Sequence, residues 1–234
     1  MAVTIKADAE VLENFAISSD VYVLRIKTAK PIEFQAGQFV NFYVPKDSGF
    51  KVKSYSIASP PSEQRYLEFC IKRVEGGYVS TYLQAVKPGF KFQLMGPFGH
   101  FIASNDLAAD AIFVATGTGI SAVKPIIQQL LDNGFPHKAC LLFGVRHEAS
   151  IYYRELWEDL AKKHANFTFV PTLSRPMPEW NGETGYVQDW LKKNLKHEGQ
   201  HLYICGLVKM VDEVAQLCAS LGFPKENVHF EKYI

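Results

Sequence analysis

VATGTGISAVKP, residues 114–125, decides the fold. A short apolar run ends in Thr116-Gly117-Thr118-Gly119 and passes at once into residues of helical period. Toward the C-terminus the same strand-to-helix alternation repeats. AIFVAT (111–116) leads to a helix near 120–133, ACLLFGV (139–145) to IYYRELWEDLAKKH (151–164), and FTFVPTL (167–173) to a helix near 186–195. HLYICG (201–206) leads to LVKMVDEVAQLCASL (207–221), and VHFEKYI (228–234) closes the chain. Five short apolar strands separated by amphipathic helices predict an α/β domain with a parallel sheet covered on both faces.

Toward the N-terminus the period changes. VYVLRIK (21–27), GQFVNFYV (37–44), RYLEFCIKRV (65–74) and FKFQLM (90–95) alternate apolar and polar residues between turn signals. They predict an antiparallel β-barrel, interrupted by one helix at YVSTYLQAV (78–86) that stops at Pro88 and Gly89. The polar spacer SNDLAAD (104–110) places a boundary near residue 105, giving domains 1–105 and 106–234. No internal repeat interrupts either part.

Composition narrows the functions open to such a chain. Of 234 residues, 47% are hydrophobic and 21% charged, enough for two modest domains with their own cores. A net charge of +1 leaves no basic footprint for nucleic acid. The opening residues carry no basic start followed by an apolar run, and no stretch has the length of a membrane span, so a cytoplasmic protein is expected. Cys70, Cys140, Cys205 and Cys218 are widely spaced, which argues for reduced thiols rather than a zinc or iron–sulfur site. His197 and His201 have helical spacing, but Gly199 between them weakens any helix that would aim both at a metal.

A doubly wound parallel sheet binds ligands beyond the carboxyl ends of its strands, where the strand order reverses. Thr116 to Gly119 end the first strand, and the helix that follows aims backbone N–H groups and a partial positive charge at a phosphate. If the first and fourth parallel strands flank the crevice, Cys205-Gly206 lies beside that turn. A complete G-x-G-x-x-G is absent. In the barrel, KSYSIAS (53–59) offers Tyr55 as a stacking face and Ser56 as a hydroxyl donor or acceptor. Alternation sends Lys53 and Tyr55 to one side, Ser54 and Ser56 to the other. Gly76, Gly77, Tyr78, Val79 and Ser80 open a helix and form a second anion site.

In order along the chain, Lys53-Ser54-Tyr55-Ser56, Gly77-Tyr78-Val79-Ser80, Gly96-Pro97-Phe98-Gly99, Gly117-Thr118-Gly119-Ile120, Cys205-Gly206 and Tyr233 resemble the ferredoxin–NADP reductase superfamily of flavin-dependent oxidoreductases, in its compact form without an iron–sulfur domain. The resemblance implies FAD rather than FMN in the barrel and NAD(P)H as substrate of the second domain. It implies that Tyr55 packs on the flavin ring, that Ser56 hydrogen-bonds near the nitrogen that accepts the hydride, and that Gly76–Ser80 hold the flavin phosphate. Thr116 to Gly119 would take the nicotinamide nucleotide's pyrophosphate, and Cys205 and Gly206 would place the nicotinamide. Ser56 and Cys205 are then the catalytic pair.

Two positions depart from the family pattern. Its arginine is Lys53, a compact charge without a guanidinium's paired hydrogen bonds. Its proline after G-T-G-I-x is Ala122, with Pro125 nearby. Ser174 and Arg175 stand where NADPH-using members hold the extra phosphate, and Arg146 at the end of the second parallel strand offers that phosphate a second charge, but Tyr186 occupies a place often basic and exposed arginines are usually solvated, so the balance tips slightly to NADH. The acceptor has no motif: ferredoxin, flavodoxin, an oxygenase component, a cytochrome or a quinone all suit an exposed flavin edge, which Tyr233 would cover. A free-flavin reductase, and an electron-transfer subunit active only within a complex, are the competing expectations.

Overall fold

Alternating apolar and charged side chains build the first unit. In the computed structural model of the chain, which describes residues 3–103 and 107–233, they form β1 (Ile5–Ala16), β2 (Val21–Thr28), β3 (Phe39–Lys46), β4 (Gly49–Ser56), β5 (Leu67–Lys72) and, after helix α1 (Tyr78–Ala85), β6 (Lys91–Phe98). The sheet is antiparallel with order β4-β3-β6-β1-β2-β5. It curls toward a barrel, because the segment after β4 meets β5: the Ala58 N–H donates to the Glu68 carbonyl at 2.7 Å. Inside the curl, Phe42 packs edge-on against Phe69 with centroids 4.8 Å apart and lies 4.9 Å from Phe92, among Leu24, Ile26, Val40 and Ile71.

The sequence reading omitted β1, which is the longest strand and pairs with both β6 and β2. Its charged residues hid it. Lys6, Asp8 and Glu10 occupy every second position, while Ala9 and Val11 are buried. A register shift between Val11 and Glu13 bends it at mid-length.

The second unit alternates strand and helix as expected. Strand β7 (Ala111–Thr116) is followed by a 3-10 turn, Gly117–Gly119, and α2 (Ile120–Asp132). Then come β8 (Ala139–Val145), α3 (Arg154–Lys163), β9 (Phe167–Leu173), the two-residue β10 (Glu183–Thr184), α4 (Val187–Asn194), β11 (His201–Leu207), α5 (Val208–Ser220) and β12 (Val228–Tyr233). The parallel sheet has order β10-β9-β8-β7-β11-β12, so β10 adds a short edge strand to the five expected. Helices α4 and α5 cover one face, where Val187, Leu191, Met210 and Val214 pack on Val114, Leu142, Leu202 and Ile204. On the other face, Trp157 of α3 lies 6.4 Å from Phe167 and 6.2 Å from Phe169.

The chain divides into two compact units, residues 1–103 with 124–129 and residues 104–123 with 130–234, so the middle of α2 packs with the first. The boundary expected at residue 105, and Ile234 of the closing strand, lie outside the described residues. Pro125 sits in the second turn of α2, deeper than a helix start, and having no N–H it cannot bond the Ser121 carbonyl.

Candidate functional site

In the first unit, the KSYS segment is the end of β4, the edge strand beside β3. Lys53 and Ser54 are exposed, Tyr55 is half-buried and Ser56 is buried. The Ser54 hydroxyl donates to Asn41 Oδ1 at 2.7 Å. The Tyr55 ring meets Phe42 at 5.3 Å and 62°, so the core holds one edge of it, and burial raises its phenol pKa. Helix α1 lies against β4. Its N-cap is Gly77, after Gly76 with φ of +71°, and helix geometry leaves the N–H groups of Tyr78, Val79 and Ser80 without intrahelical partners. The Ser80 hydroxyl is engaged within the loop, accepting the Val74 N–H at 3.0 Å. Tyr78 is anchored at its other end by donating to the Pro45 carbonyl. A half-buried aromatic face, a buried hydroxyl and a helix start with open N–H groups fit a flavin nucleotide.

In the second unit, β7 and β11 are neighbours, so the strand order reverses between them and their carboxyl ends share one crevice. Gly117 has φ of +53°, and open space surrounds the position a Cβ would take. Gly119 is the opposite case: a Cβ there would stand 2.3 Å from the Cys205 carbonyl oxygen, so only glycine allows the two strand ends to close up. Thr116 Oγ1 accepts the Leu207 N–H at 3.4 Å, just past Gly206. A cradle of open backbone at a helix start fits the phosphates of a nicotinamide nucleotide.

Cys205 is fully buried. Burial first, and then the nearby Glu231 carboxylate, push its thiol well above the ordinary range, while a hydrogen bond with Tyr233 acts in the opposite sense. Glu231 and Tyr233 follow from register: on β12, Glu231 pairs with Cys205 and Tyr233 with Leu207. The sequence reading missed Glu231, although alternation with Tyr233 was a signal for it. It also missed Ser121, whose hydroxyl donates to the Thr118 carbonyl at 2.8 Å and meets the Tyr233 hydroxyl at 3.0 Å.

Arg146, Ser174 and Arg175 form a second group at the carboxyl ends of β8 and β9. The Arg175 N–H donates to the Arg146 carbonyl at 2.9 Å and the Ser174 N–H to the Val145 carbonyl at 3.0 Å. Both arginine side chains are exposed. Tyr186 is exposed just before α4, its N–H accepted by Asp189 Oδ2 at 3.3 Å.

Comparison with known proteins gives this arrangement a family. The oxidoreductase FAD-binding domain model matches residues 8–102 and the oxidoreductase NAD-binding domain model residues 113–216. The chain is 36% identical over 212 residues to ferredoxin–NADP reductase B of Sorangium cellulosum, covering 87% of each. It is 33% identical over 231 residues to the phenol hydroxylase P5 protein of Acinetobacter pittii, covering 97% of this chain but only 65% of the relative's length. Among solved structures, the Amycolatopsis cytochrome P450 reductase GcoB superposes with a TM-score of 0.92 at 26% identity, over 99% of this chain and 71% of that one. With a flavin-domain and a nucleotide-domain model matched in sequence order, and a reductase relative aligned along most of its length, the chain belongs to the ferredoxin–NADP reductase superfamily of FAD- and NAD(P)-binding oxidoreductases.

Proposed function

We propose that the protein takes a hydride from NAD(P)H and passes the electrons to a protein or small-molecule acceptor, with residues 1–105 as the flavin-binding domain and 106–234 as the nucleotide-binding domain. The observation that carries this reading is the crevice between β7 and β11, where Gly119 closes onto Cys205 beside the open turn at Gly117. FAD, when bound, supplies acceptance of two electrons together and their release one at a time.

The chain's own residues hold and orient. Tyr55 covers the flavin ring and Ser56 donates a hydrogen bond at its hydride-accepting edge. Lys53, Ser54 and the N–H groups of Tyr78, Val79 and Ser80, with Gly76 and Gly77 shaping the loop before them, hold the flavin's phosphates. Thr116, Gly117, Thr118 and Gly119 bind the pyrophosphate of NAD(P)H, Cys205 and Gly206 seat its nicotinamide, and Tyr233 closes the edge beside them. Cys205 acts here as a neutral thiol, because burial disfavours the thiolate. Arg146, Ser174 and Arg175 line the place for the adenosine end, with NADH preferred over NADPH.

Protein acceptors that suit this reading are ferredoxin, flavodoxin, an oxygenase component or a cytochrome. The Acinetobacter relative is a phenol hydroxylase component by name, which supports the oxygenase class. A cytoplasmic location accords with four cysteines that form no disulfide and with described helices none of which is long and apolar enough to cross a membrane.

The test is the visible spectrum of the purified protein before and after anaerobic addition of NADH or NADPH. Yellow colour that bleaches supports the reading; a colourless protein that does not take up FAD overturns it. One observation favours a second reading, reduction of free flavin: Lys53 is exposed on the edge strand and stands where the family's arginine would grip the cofactor. Flavin lost on extended dialysis, with reductase activity restored by added free flavin, would select it.

A further inference from the structure

The chain is buried from Ser56 through Ser59, and each of the last three residues is hydrogen-bonded to a neighbouring segment. The Ile57 N–H donates to the Gln38 carbonyl at 2.9 Å, and the Ala58 N–H to the Glu68 carbonyl at 2.7 Å. The Ser59 hydroxyl accepts the Glu68 N–H at 3.1 Å. The Ala58 carbonyl takes the fourth bond, from the ammonium of Lys124 at 2.8 Å.

Lys124 lies in the part of α2 that packs with the first unit, and it is 6% exposed. Its ammonium also meets Glu68 Oε1 at 3.1 Å, while Arg25 Nε donates to the other carboxylate oxygen at 2.9 Å. Glu68 is therefore a hub. Its backbone grips Ala58 and Ser59, and its side chain holds the lysine that grips Ala58 from the other side. An apolar side chain of similar volume would fill the same space without the desolvation penalty of an ion pair. What it would lack is direction. A charge-assisted hydrogen bond fixes where the Ala58 carbonyl points, and with it the peptide planes leading back to Ser56.

We propose that Lys124 is a positioning residue for the flavin site: with Glu68 and Arg25 it locks the turn at 57–59, and so holds Ser56 in register with the hydride-accepting edge of the flavin. This rests on the assignment of Ser56 to the flavin made above.

The experiment compares wild type with Lys124→Met, Glu68→Gln and the double variant. In the flavin-free proteins, hydrogen exchange at the Ala58 amide is measured. In the FAD-loaded proteins, the rate of anaerobic bleaching per bound flavin is measured against NADH concentration. The expected result is faster exchange at Ala58 and a bleaching rate at saturating NADH about tenfold lower, as for a reacting group slightly misplaced. The NADH concentration giving half the maximal rate should stay within about twofold, because that site is untouched. The double variant should lose no more than the worse single one, since the two residues act as one clamp. If Lys124→Met does not fold, Glu68→Gln carries the same comparison, keeping shape while removing the charge that holds the ammonium. A wild-type bleaching rate per bound flavin in these variants overturns the positioning role, even with a lowered melting temperature, while leaving the flavin assignment standing. A wild-type protein that binds no flavin removes both.

Discussion

The Tyr233 and Ser121 hydroxyls share a hydrogen bond at the glycine turn. The two oxygens are 3.0 Å apart, and the Ser121 hydroxyl also meets the Thr118 carbonyl at 2.8 Å. The closing strand is thereby fastened to the glycine turn through one phenol. Replacing Tyr233 by Phe removes this bond, together with the one the phenol makes with Cys205, and leaves the ring. Thermal unfolding should show a loss of about 1 kcal/mol, and titration with NAD(P) should show weaker binding with FAD content unchanged. Unaltered nucleotide affinity would separate the bond from the nucleotide turn.

Gly119→Ala should be far more damaging than its size suggests. The new methyl would stand 2.3 Å from a backbone oxygen of Cys205, which cannot rotate out of the way. The strands must shift, at a cost of about 1–3 kcal/mol. Nucleotide affinity should fall steeply while flavin retention persists. Gly117→Ala meets no neighbour and carries only the strain of a positive φ, so it should melt at a higher temperature than Gly119→Ala.

Cysteine labelling should be slow throughout the native state. Cys205 is buried with its thiol pKa raised, and burial pushes Cys140 and Cys218 up to about 11. At pH near 8, iodoacetamide should therefore modify Cys205 only after denaturant is added. Rapid loss of activity with stoichiometric labelling of Cys205 in native protein would contradict a neutral, covered thiol.

Acid should weaken the second unit through two histidines. His201 Nδ1 and His229 Nε2 are 3.2 Å apart with stacked rings, and His229 stacks in turn on Tyr203 at 4.6 Å. Burial lowers both pKa values from 6.5, and for His229 the neighbouring His201 adds to the effect. As pH falls through 6.5 the unfolded chain takes up protons before the folded one, so stability is complete above that value and declines until the folded pKa values are passed. His229→Phe keeps an aromatic in the stack and removes a proton acceptor. Its melting temperature should drop less than that of wild type between about pH 7.5 and pH 5.5.

Much of this architecture is legible in sequence because period follows burial. The run Phe167–Leu173 was read to the residue, since turn signals bound it on both sides. Strand β1 was not, because its alternation is carried by charges over small apolar residues, which composition reads as a surface tract. The same limitation hid Lys124. A lysine within an amphipathic helix reads as solvated, and only tertiary packing shows Glu68 and Ala58 waiting for it. Tyr55, Ser56, Gly117 and Cys205 were singled out through their motifs. Ser121 and Glu231 matter through register across β11 and β12 and through the first turn of α2, which a linear reading does not pair.

The central pairing of the second sheet joins residues 111–115 to 201–205. During synthesis, β7 leaves the ribosome long before its partner exists, and its flank stays open while some eighty intervening residues emerge. The nucleotide crevice is thus among the last features the chain can complete. A nascent chain arrested before Cys205 has been extruded would hold its flavin-domain strands entire, yet lack one wall of the crevice beside β7.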